Sequence, residues 1–221
     1  MKRALRWILA LFLFVLFLLL AVVAAGFLRA RDAAAQIESD AALAAEAGFT
    51  AADLTPEWRS ILLAVEDPSF ESHNGVDFRT PGSGLTTITQ GLAKRACFDE
   101  FAPGVFAKLF QTGCALGIDR RVSKETQLTA FLHTASLGPG ESGWITGFPA
   151  AAMEYFGKEM RAMTTREFTT LVAMLIGPAR HHPRRNPEAL DDRIERIERL
   201  LAGDCRPDGF RDVTYEGCRG L

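Results

Sequence analysis

A mostly α-helical protein with a single N-terminal transmembrane helix is the fold that the sequence predicts, on three observations. An uncharged apolar run of 22 residues extends from Trp7 to Leu28. Helix-start signals recur along the chain after residue 50. The alternation of apolar and polar residues that is typical of half-buried strands is almost absent,. Helices are therefore expected to build both the anchor and the domain that follows it.

The apolar run is long enough to cross a membrane. A helix of this length spans about 33 Å, and the hydrocarbon core of a bilayer is about 30 Å thick. Lys2, Arg3 and Arg6 precede the run, whereas acids soon join the basic residues after it. The positive-inside rule therefore places the N-terminus in the cytoplasm and the rest of the chain outside. A cleaved signal peptide is the alternative, although its apolar core would normally be only about 7–15 residues long.

The chain beyond the anchor has the size of one ordinary domain, roughly 190 residues. Residues 30–52 are rich in alanine and acids and form either a linker or a juxtamembrane helix. The formal net charge of −2 does not suggest nucleic-acid binding, and no glycine-rich nucleotide-binding motif is present,. We expect an anchor over residues 1–30, a juxtamembrane linker over 31–52, the main domain over 53–203 and a C-terminal tail over 204–221.

Start and stop signals place the helices of the main domain. Thr55-Pro56 is an N-cap followed by a first-turn proline, and the next apolar residues recur at helical spacing up to Glu66,. Further helices are predicted to start at Thr86, near Val105, at Ser123, at the capping box Thr164–Glu167, and at Asn186-Pro187, the last ending at Gly203,. The Gly- and Pro-rich segment 137–149 predicts a loop,.

Four cysteines lie in the part of the chain expected outside the membrane, where oxidising conditions permit disulfides,. Four cysteines allow three connectivities. The pairs Cys97–Cys114 and Cys205–Cys218 are favoured because each is close in sequence, and the second would staple the tail. Four buried free thiols are the alternative. No spacing typical of a zinc site is present,.

Two acids, Glu66 and Asp67, end the apolar helix that begins at Pro56. A carboxyl group that loses water on one side has a raised pKa, which suits it to exchanging protons near neutral pH. Adjacent residues point about 100° apart around a helix, so the two acids are expected to have different roles. The alternative is that both acids only terminate the helix and face solvent.

The residues around Glu66 also carry a family resemblance. Residues 66–78 read EDPSFESHNGVDF, and residues 84–94 read GLTTITQGLAK. In this order they resemble the first two motifs of the peptidoglycan glycosyltransferases, glycosyltransferase family 51. The resemblance continues from about Asp53 to Leu201, with later matching segments at residues 117–124, 131–133, 150–158, 171–178 and 186–187.

The resemblance implies a lysozyme-like, mostly α-helical fold with a small membrane-dipping subdomain. It implies a membrane-anchored enzyme that polymerises lipid II into glycan strands with loss of undecaprenyl pyrophosphate. Glu66 would be the catalytic base on the acceptor hydroxyl, and Asp67 would hold the local backbone. The expected substrate-binding residues are Thr87, Thr89, Gln90, Lys94, Lys108 and Gln111. Gln90 and Lys94 are four residues apart and share a helical face from which they would donate hydrogen bonds to sugar and phosphate oxygens.

The third motif departs from the family pattern. The family is close to Arg-Lys-x-x-Glu, whereas this chain has Ala107-Lys108-Leu109-Phe110-Gln111. The missing glutamate is the family's second acid, and a glutamine neither carries charge nor exchanges protons at neutral pH. Weakened activity is therefore expected, and restoring the acid at position 111 is expected to raise it. Asp119, Glu125, Glu141 and Glu154 are the nearby acids that remain as substitutes.

The expected partners are lipid II, the nascent glycan strand, membrane lipids and other proteins of cell-wall synthesis, and not nucleic acid. The expected location is the bacterial inner membrane, with the domain on the periplasmic side. No protein-bound metal site is predicted, and a divalent cation, Mg²⁺ or Mn²⁺, is left open as a cofactor.

The alternative functions are a catalytically silent scaffold that binds lipid II or glycan, and a lysozyme-like enzyme that cleaves glycan. The aromatic-rich stretch 98–110 would either dip into the outer leaflet or pack in the core.

Overall fold

The computed structural model describes residues 2–220 and confirms a mostly α-helical chain with one long apolar helix at its N-terminus. Within these residues the secondary structure consists of eight α-helices, one β-hairpin and three short 3-10 helices. The α-helices are α1 (Lys2–Glu46), α2 (Pro56–Glu66), α3 (Ile88–Ala96), α4 (Val105–Asp119), α5 (Lys124–Thr134), α6 (Phe148–Phe156), α7 (Thr165–Met174) and α8 (Pro187–Ala202). The 3-10 helices are Ala51–Asp53, Met160–Ala162 and Glu216–Cys218.

Helix α1 continues without a break from the apolar run into the domain. It covers Lys2–Glu46, and by length and composition it can cross a membrane. Its C-terminal half is buried against the domain at Ala30, Ala33, Ala34 and Ile37. A linker and a juxtamembrane helix were the two alternatives for residues 30–52, and residues 30–46 of this stretch are helical.

Helices α1 and α4 pack closely because glycines line their contact. A Cβ atom added at Gly113 would lie 1.9 Å from the carbonyl oxygen of Val23, and one added at Gly26 would lie 2.1 Å from that of Phe110. Along the contact, Val23 meets Gly113, Gly26 meets Cys114 and Ala30 meets Gly117. The residue numbers in this series rise together, so the two helices run in the same direction, and the first turns of α4 lie alongside the apolar run of α1.

Two hydrophobic clusters organise the domain. The main core lies between α2, α5, α6, α7 and α8 and includes a stacked pair, Trp58 and Phe168, with ring centroids 4.7 Å apart. The second core lies between α1, α3 and α4. Phe98 and Phe110 pack against this second core, whereas Val105 and Phe106 at the start of α4 are 72% and 65% exposed. The aromatic-rich stretch therefore contributes both to the core and to an exposed apolar surface.

The predicted loop over residues 137–149 is wrong in part. Strands β1 (Ser136–Pro139) and β2 (Trp144–Thr146) form an antiparallel hairpin, with Ser136 opposite Thr146 and Pro139 opposite Trp144. Helix α6 then begins at Phe148, with a proline at its start. The glycines and prolines shape the turn of the hairpin and the start of the helix. Because these residues are typical of loops, composition alone does not predict the short strands.

Both favoured disulfides are present, Cys97–Cys114 and Cys205–Cys218. The first joins the end of α3 to α4 in the second core. The second closes the chain after α8, where residues 204–220 fold back over the main core and bury Tyr215. The prediction of a stapled tail is thus confirmed.

Candidate active site

Glu66 is the last residue of α2, and the helix is placed by its N-cap and its apolar face. Thr55 Oγ1 accepts a hydrogen bond from Trp58 N, which satisfies one free amide of the first turn,. Trp58, Ile61, Leu62 and Val65 are buried in the main core. This packing carries Glu66 to the edge of the core, where its side chain is only partly covered.

Two cavities meet at Glu66. The first, of about 440 Å³, is lined by residues of the loop before α3, by Leu175 and by Arg193 and Val213. The second, of about 460 Å³, is lined mainly by α3, Phe101, Phe131 and Ser136. Both cavities share Glu66, Thr86, Lys94 and Leu175. Larger grooves exist elsewhere, such as one of about 680 Å³ between the starts of α2 and α7, but Glu66 does not line them.

The surroundings of Glu66 suit its carboxyl group to exchanging protons near neutral pH,. Burial raises the pKa of the Glu66 carboxyl to about 7, with a smaller contribution from the neighbouring charge of Asp67. The positive charge of Arg193 acts in the opposite direction and keeps the rise in pKa from being larger. Because no hydrogen bond contributes to the shift, the carboxylate is available to accept a proton from a group in either cavity.

Asp67 holds the backbone, as predicted. It is fully buried, and both of its carboxylate oxygens lie 2.9–3.0 Å from His73 Nε2. Gly75 N donates to His73 Nδ1, so the ring proton is on Nε2 and is donated to Asp67,. The same carboxylate accepts a hydrogen bond from Ile88 N at the start of α3. Asp67 therefore ties the end of α2 to the start of α3.

The residues of the second motif divide into a buried group and an exposed lysine. Thr87 Oγ1 caps α3 by accepting from Gln90 N, and the Gln90 side chain bonds back to Thr87 N. Thr89 Oγ1 donates to Gln127 Oε1 at 2.7 Å. These three residues line neither cavity, whereas Lys94 is exposed and lines both. Direct substrate contact remains a prediction for Thr87, Thr89 and Gln90.

Lys108 and Gln111 lie on α4, beside the second motif. Lys108 Nζ donates to the carbonyl oxygen of Leu85, a residue of the first cavity. Burial and the nearby charge of Lys94 lower the pKa of Lys108. Gln111 is buried, and its Nε2 donates to the carbonyl oxygen of Gln90 at 2.7 Å. Gln111 therefore links α4 to α3 and lines neither cavity.

The four acids considered as substitutes for the missing glutamate all form ion pairs and line neither of the two cavities. Asp119 pairs with Lys124 at 2.7 Å, and Glu125 pairs with Arg59 at 2.8 Å. Glu141 and Glu154 both pair with Arg184. Among the described residues, Glu66 is the one acid that lines the two cavities.

The donors around Glu66 do not fit a metal ion held by the protein alone. A divalent cation such as Mg²⁺ is held through carboxylates and substrate phosphates in near-ideal octahedral geometry. Within residues 2–220, no group of three or more His, Cys, Asp and Glu side chains is arranged to bind a metal. The cavities instead combine one carboxylate with the ammonium group of Lys94.

We expect Gln111→Glu to destabilise the protein without raising its activity. The change removes the amide that donates to Gln90 O and leaves an acid facing that carbonyl in a buried position. The cost is about 1–3 kcal/mol of unfolding free energy, measured by denaturant unfolding. This differs from the expectation drawn from the motif alone, because position 111 does not open onto a cavity. Gln36→Glu, on the exposed face of α1, is the control. A faster and equally stable Gln111→Glu enzyme would contradict this.

Some residues of the site were not identified from the sequence. Thr86 and Leu175 line both cavities and lie in segments that carry the family resemblance, but they were not singled out as site residues. Val213 lines the first cavity and lies outside the stretch of resemblance. Arg193 is completely buried beside Glu66. Arg193 lies in the closing helix of the stretch that resembles the family, without a site role assigned to it from the sequence. Its place directly before the apolar Ile194 and three residues after Leu190 is the signal that could have marked it as buried.

Comparisons with known proteins agree with the family resemblance. A family model described as Transglycosylase matches residues 38–202. The chain is 30% identical over 153 residues to penicillin-binding protein 1B of Escherichia coli, which covers 63% of this chain and 18% of the relative. It is 28% identical over 178 residues to penicillin-binding protein 1F of Bacillus subtilis, covering 75% and 24%. It is 30% identical over 152 residues to a biosynthetic peptidoglycan transglycosylase of a Marinomonas species, covering 63% and 65%. The chain thus spans less than two thirds of the length of each of these relatives.

Proposed function

The chain belongs to the transglycosylase family, and from this premise we propose that it is a membrane-anchored peptidoglycan glycosyltransferase. Its substrate would be lipid II, a disaccharide-peptide on an undecaprenyl pyrophosphate carrier, which it would polymerise into glycan strands. The single observation that carries the proposal is the position of Glu66, a half-shielded carboxyl with a raised pKa where two cavities meet.

Two adjoining cavities suit a reaction between two sugars. The acceptor's 4-hydroxyl would lie on one side of Glu66 and the anomeric carbon of the donor on the other. As the oxygen of the hydroxyl bonds to the anomeric carbon, its proton passes to Glu66. The bond from that carbon to the pyrophosphate breaks with inversion, and its electron pair leaves with the undecaprenyl pyrophosphate. Glu66 is the general base of this step.

The positive charges beside the cavities suit the leaving group. Lys94 lines both cavities, and Lys108 lies near it, so that burial and the positive charge of Lys94 both lower the pKa of Lys108. Ammonium groups stabilise the negative charge that develops on a departing pyrophosphate. We propose Lys94 as the direct contact and Lys108 as a second positive charge that also holds the Leu85 backbone. Thr87, Thr89, Gln90 and Gln111 would hold α3 and α4, the helices that carry the two lysines, in place.

The anchor places the site next to a lipid-linked substrate. Helix α1 would cross the inner membrane, and the exposed Val105 and Phe106 of α4 would enter the outer leaflet beside it,. Both disulfides lie in the part of the chain that would be in the periplasm, where disulfides persist,. Membrane lipids and other proteins of cell-wall synthesis are the further partners that we propose.

A second candidate function is a catalytically silent member of the family that binds lipid II or glycan as a scaffold. The observation that favours it is that, among the described residues, no other acid joins Glu66 in the two cavities. The family resemblance adds the expectation that Gln111 occupies the position of the second acid. This candidate predicts binding of lipid II without turnover.

We expect the full chain in detergent to polymerise fluorescent lipid II. The Lys94→Met variant should do so about ten- to a hundredfold more slowly, because it lacks the ammonium group that stabilises the negative charge on the departing pyrophosphate. Polymer is measured by gel electrophoresis, with Mg²⁺, with Mn²⁺ and with a chelator. Lys158→Met is the matched control, since Lys158 pairs with Glu167 away from the site. Binding of lipid II without polymer under all three conditions would reject the enzyme in favour of the scaffold.

A further inference from the structure

Residues 204–220, here called the C-terminal segment, follow the part of the chain that the family model matches, which ends at residue 202. The Cys205–Cys218 disulfide closes the segment. Inside it, the carboxylate of Asp212 accepts hydrogen bonds from the backbone amides of Asp208, Glu216 and Gly217. The segment is therefore folded by its own contacts, and nothing in the family match assigns it a role.

Three arginines of α8 fasten the segment to the domain. They are spaced three residues apart and share one face of the helix. Arg193 Nη1 donates to Val213 O at 3.1 Å, Arg196 Nη1 to Thr214 O at 2.7 Å and Arg199 Nη1 to Cys218 O at 3.1 Å. Arg193 and Arg196 are themselves buried. Such contacts fix the position of the segment relative to the wall of the first cavity.

The segment also holds the loop that lines the first cavity. Gly82 N donates to Gly209 O at 3.0 Å, and Gly84 N donates to Phe210 O at 2.9 Å. Both glycines have positive φ values, +78° and +63°, which other residues adopt with strain,. A Cβ atom at Gly84 would lie 2.5 Å from a methyl carbon of Val213. The loop and the segment are therefore fitted to each other at the wall of the cavity that Glu66 also lines.

Tyr215 connects the segment to the helix that carries Glu66. Its side chain is fully buried, and its hydroxyl donates to the carbonyl oxygen of Val65 at 2.7 Å. Because α2 ends at Glu66, the carbonyl group of Val65 has no partner within the helix,. The Tyr215 ring lies 5.1 Å from the Arg193 guanidinium carbon. Tyr215 has a φ of +58°, a conformation that its neighbours must enforce,.

We propose that the C-terminal segment is a positioning element of the active site, in which Tyr215 caps the last turn of α2 and thereby fixes Glu66 between the two cavities. The inference rests on the proposed function. Tyr215 lines neither cavity, so it acts through Val65 and Arg193 and does not touch the substrate. Burial raises the pKa of the Tyr215 hydroxyl above its ordinary value, which keeps it protonated as a donor.

Tyr215→Phe tests the proposal against a matched control. Tyr155 is the other tyrosine of the chain, and its hydroxyl also donates to a backbone carbonyl, that of Leu137, at 2.8 Å. We expect Tyr215→Phe to lower kcat about tenfold with an unchanged KM for lipid II. A loosened α2 would admit water to Glu66 and move the acidic limb of the pH–rate profile to lower pH. Tyr155→Phe is expected to leave both quantities unchanged. Equal profiles for the two variants would overturn the proposal.

Hydrogen exchange gives a readout that does not depend on turnover. In the full chain we expect faster exchange of the amides of Gly82, Gly84 and residues 63–67 in Tyr215→Phe, and in the double variant Cys205→Ser, Cys218→Ser. Tyr155→Phe should exchange there like the wild type. If the wild type makes no polymer, the proposed function fails while the same exchange result still supports the positioning of Glu66. Wild-type exchange at these amides in Tyr215→Phe would overturn the positioning role whatever the activity.

Discussion

Glu66→Gln is expected to lower the rate of lipid II polymerisation by about a thousandfold, the range that a positioned general base contributes. The glutamine keeps the shape of the side chain but cannot take a proton from the acceptor hydroxyl. Binding of lipid II should change little, because the cavities and Lys94 remain. The measurement is the rate of polymer formation together with a separate titration of lipid II binding to the variant.

The stability of the variant separates a catalytic effect from an unfolding effect. Removing a carboxylate from a shielded position is expected to change the unfolding free energy by no more than about 1 kcal/mol. Glu71→Gln, a change to an exposed acid that pairs with Arg59, is the matched control and should keep wild-type activity. A Glu66→Gln variant that polymerises lipid II at more than a tenth of the wild-type rate would show that another group acts as the base.

Arg193→Met is expected to lower the unfolding free energy by about 3 kcal/mol, because a buried arginine with several acceptors is lost. Ala173 O and Val213 O would both lose this donor, and the C-terminal segment would lose one of its three arginine contacts with α8. Chemical denaturation measures this loss. The matched control is Arg166→Met, on the exposed face of α7, where the ion pair with Glu198 is worth little,.

The same variant should also move the pH–rate profile. Arg193 lowers the pKa of Glu66, so its removal raises that pKa further above its ordinary value. A base must be deprotonated to act, so activity is lost as pH falls through its pKa. The acidic limb of the Arg193→Met profile is therefore expected at higher pH than that of the wild type. A limb that stays in place would mean that the charge of Arg193 does not reach Glu66.

The helices were largely predictable because their ends carry local signals. Thr55, Ser123 and Thr164 cap helices as predicted, and Gly203 ends α8 in a left-handed conformation. The start of α3 was predicted one or two residues early, because both Thr86 and Thr87 can cap a helix and only Thr87 does. Helix α6 and the hairpin before it were not predicted, since their glycines and prolines resemble a loop in composition.

The site was less predictable because burial depends on distant parts of the chain. Gln90 and Lys94 share a helical face, yet Gln90 is fully buried and Lys94 is exposed. The difference arises because α4 covers the first turn of α3 and its Gln111 bonds to Gln90 O. Likewise, Arg193 and Val213 approach Glu66 from far along the chain, and no local pattern indicates that approach.

The pH dependence of the wild-type polymerisation rate tests the central claim most directly, because that claim concerns one half-shielded carboxyl as the base. The rate at limiting lipid II should fall below neutral pH with a midpoint near 7, the value to which burial raises the pKa of Glu66. A midpoint near the ordinary glutamate value of about 4.3, or no acidic limb at all, would contradict the claim.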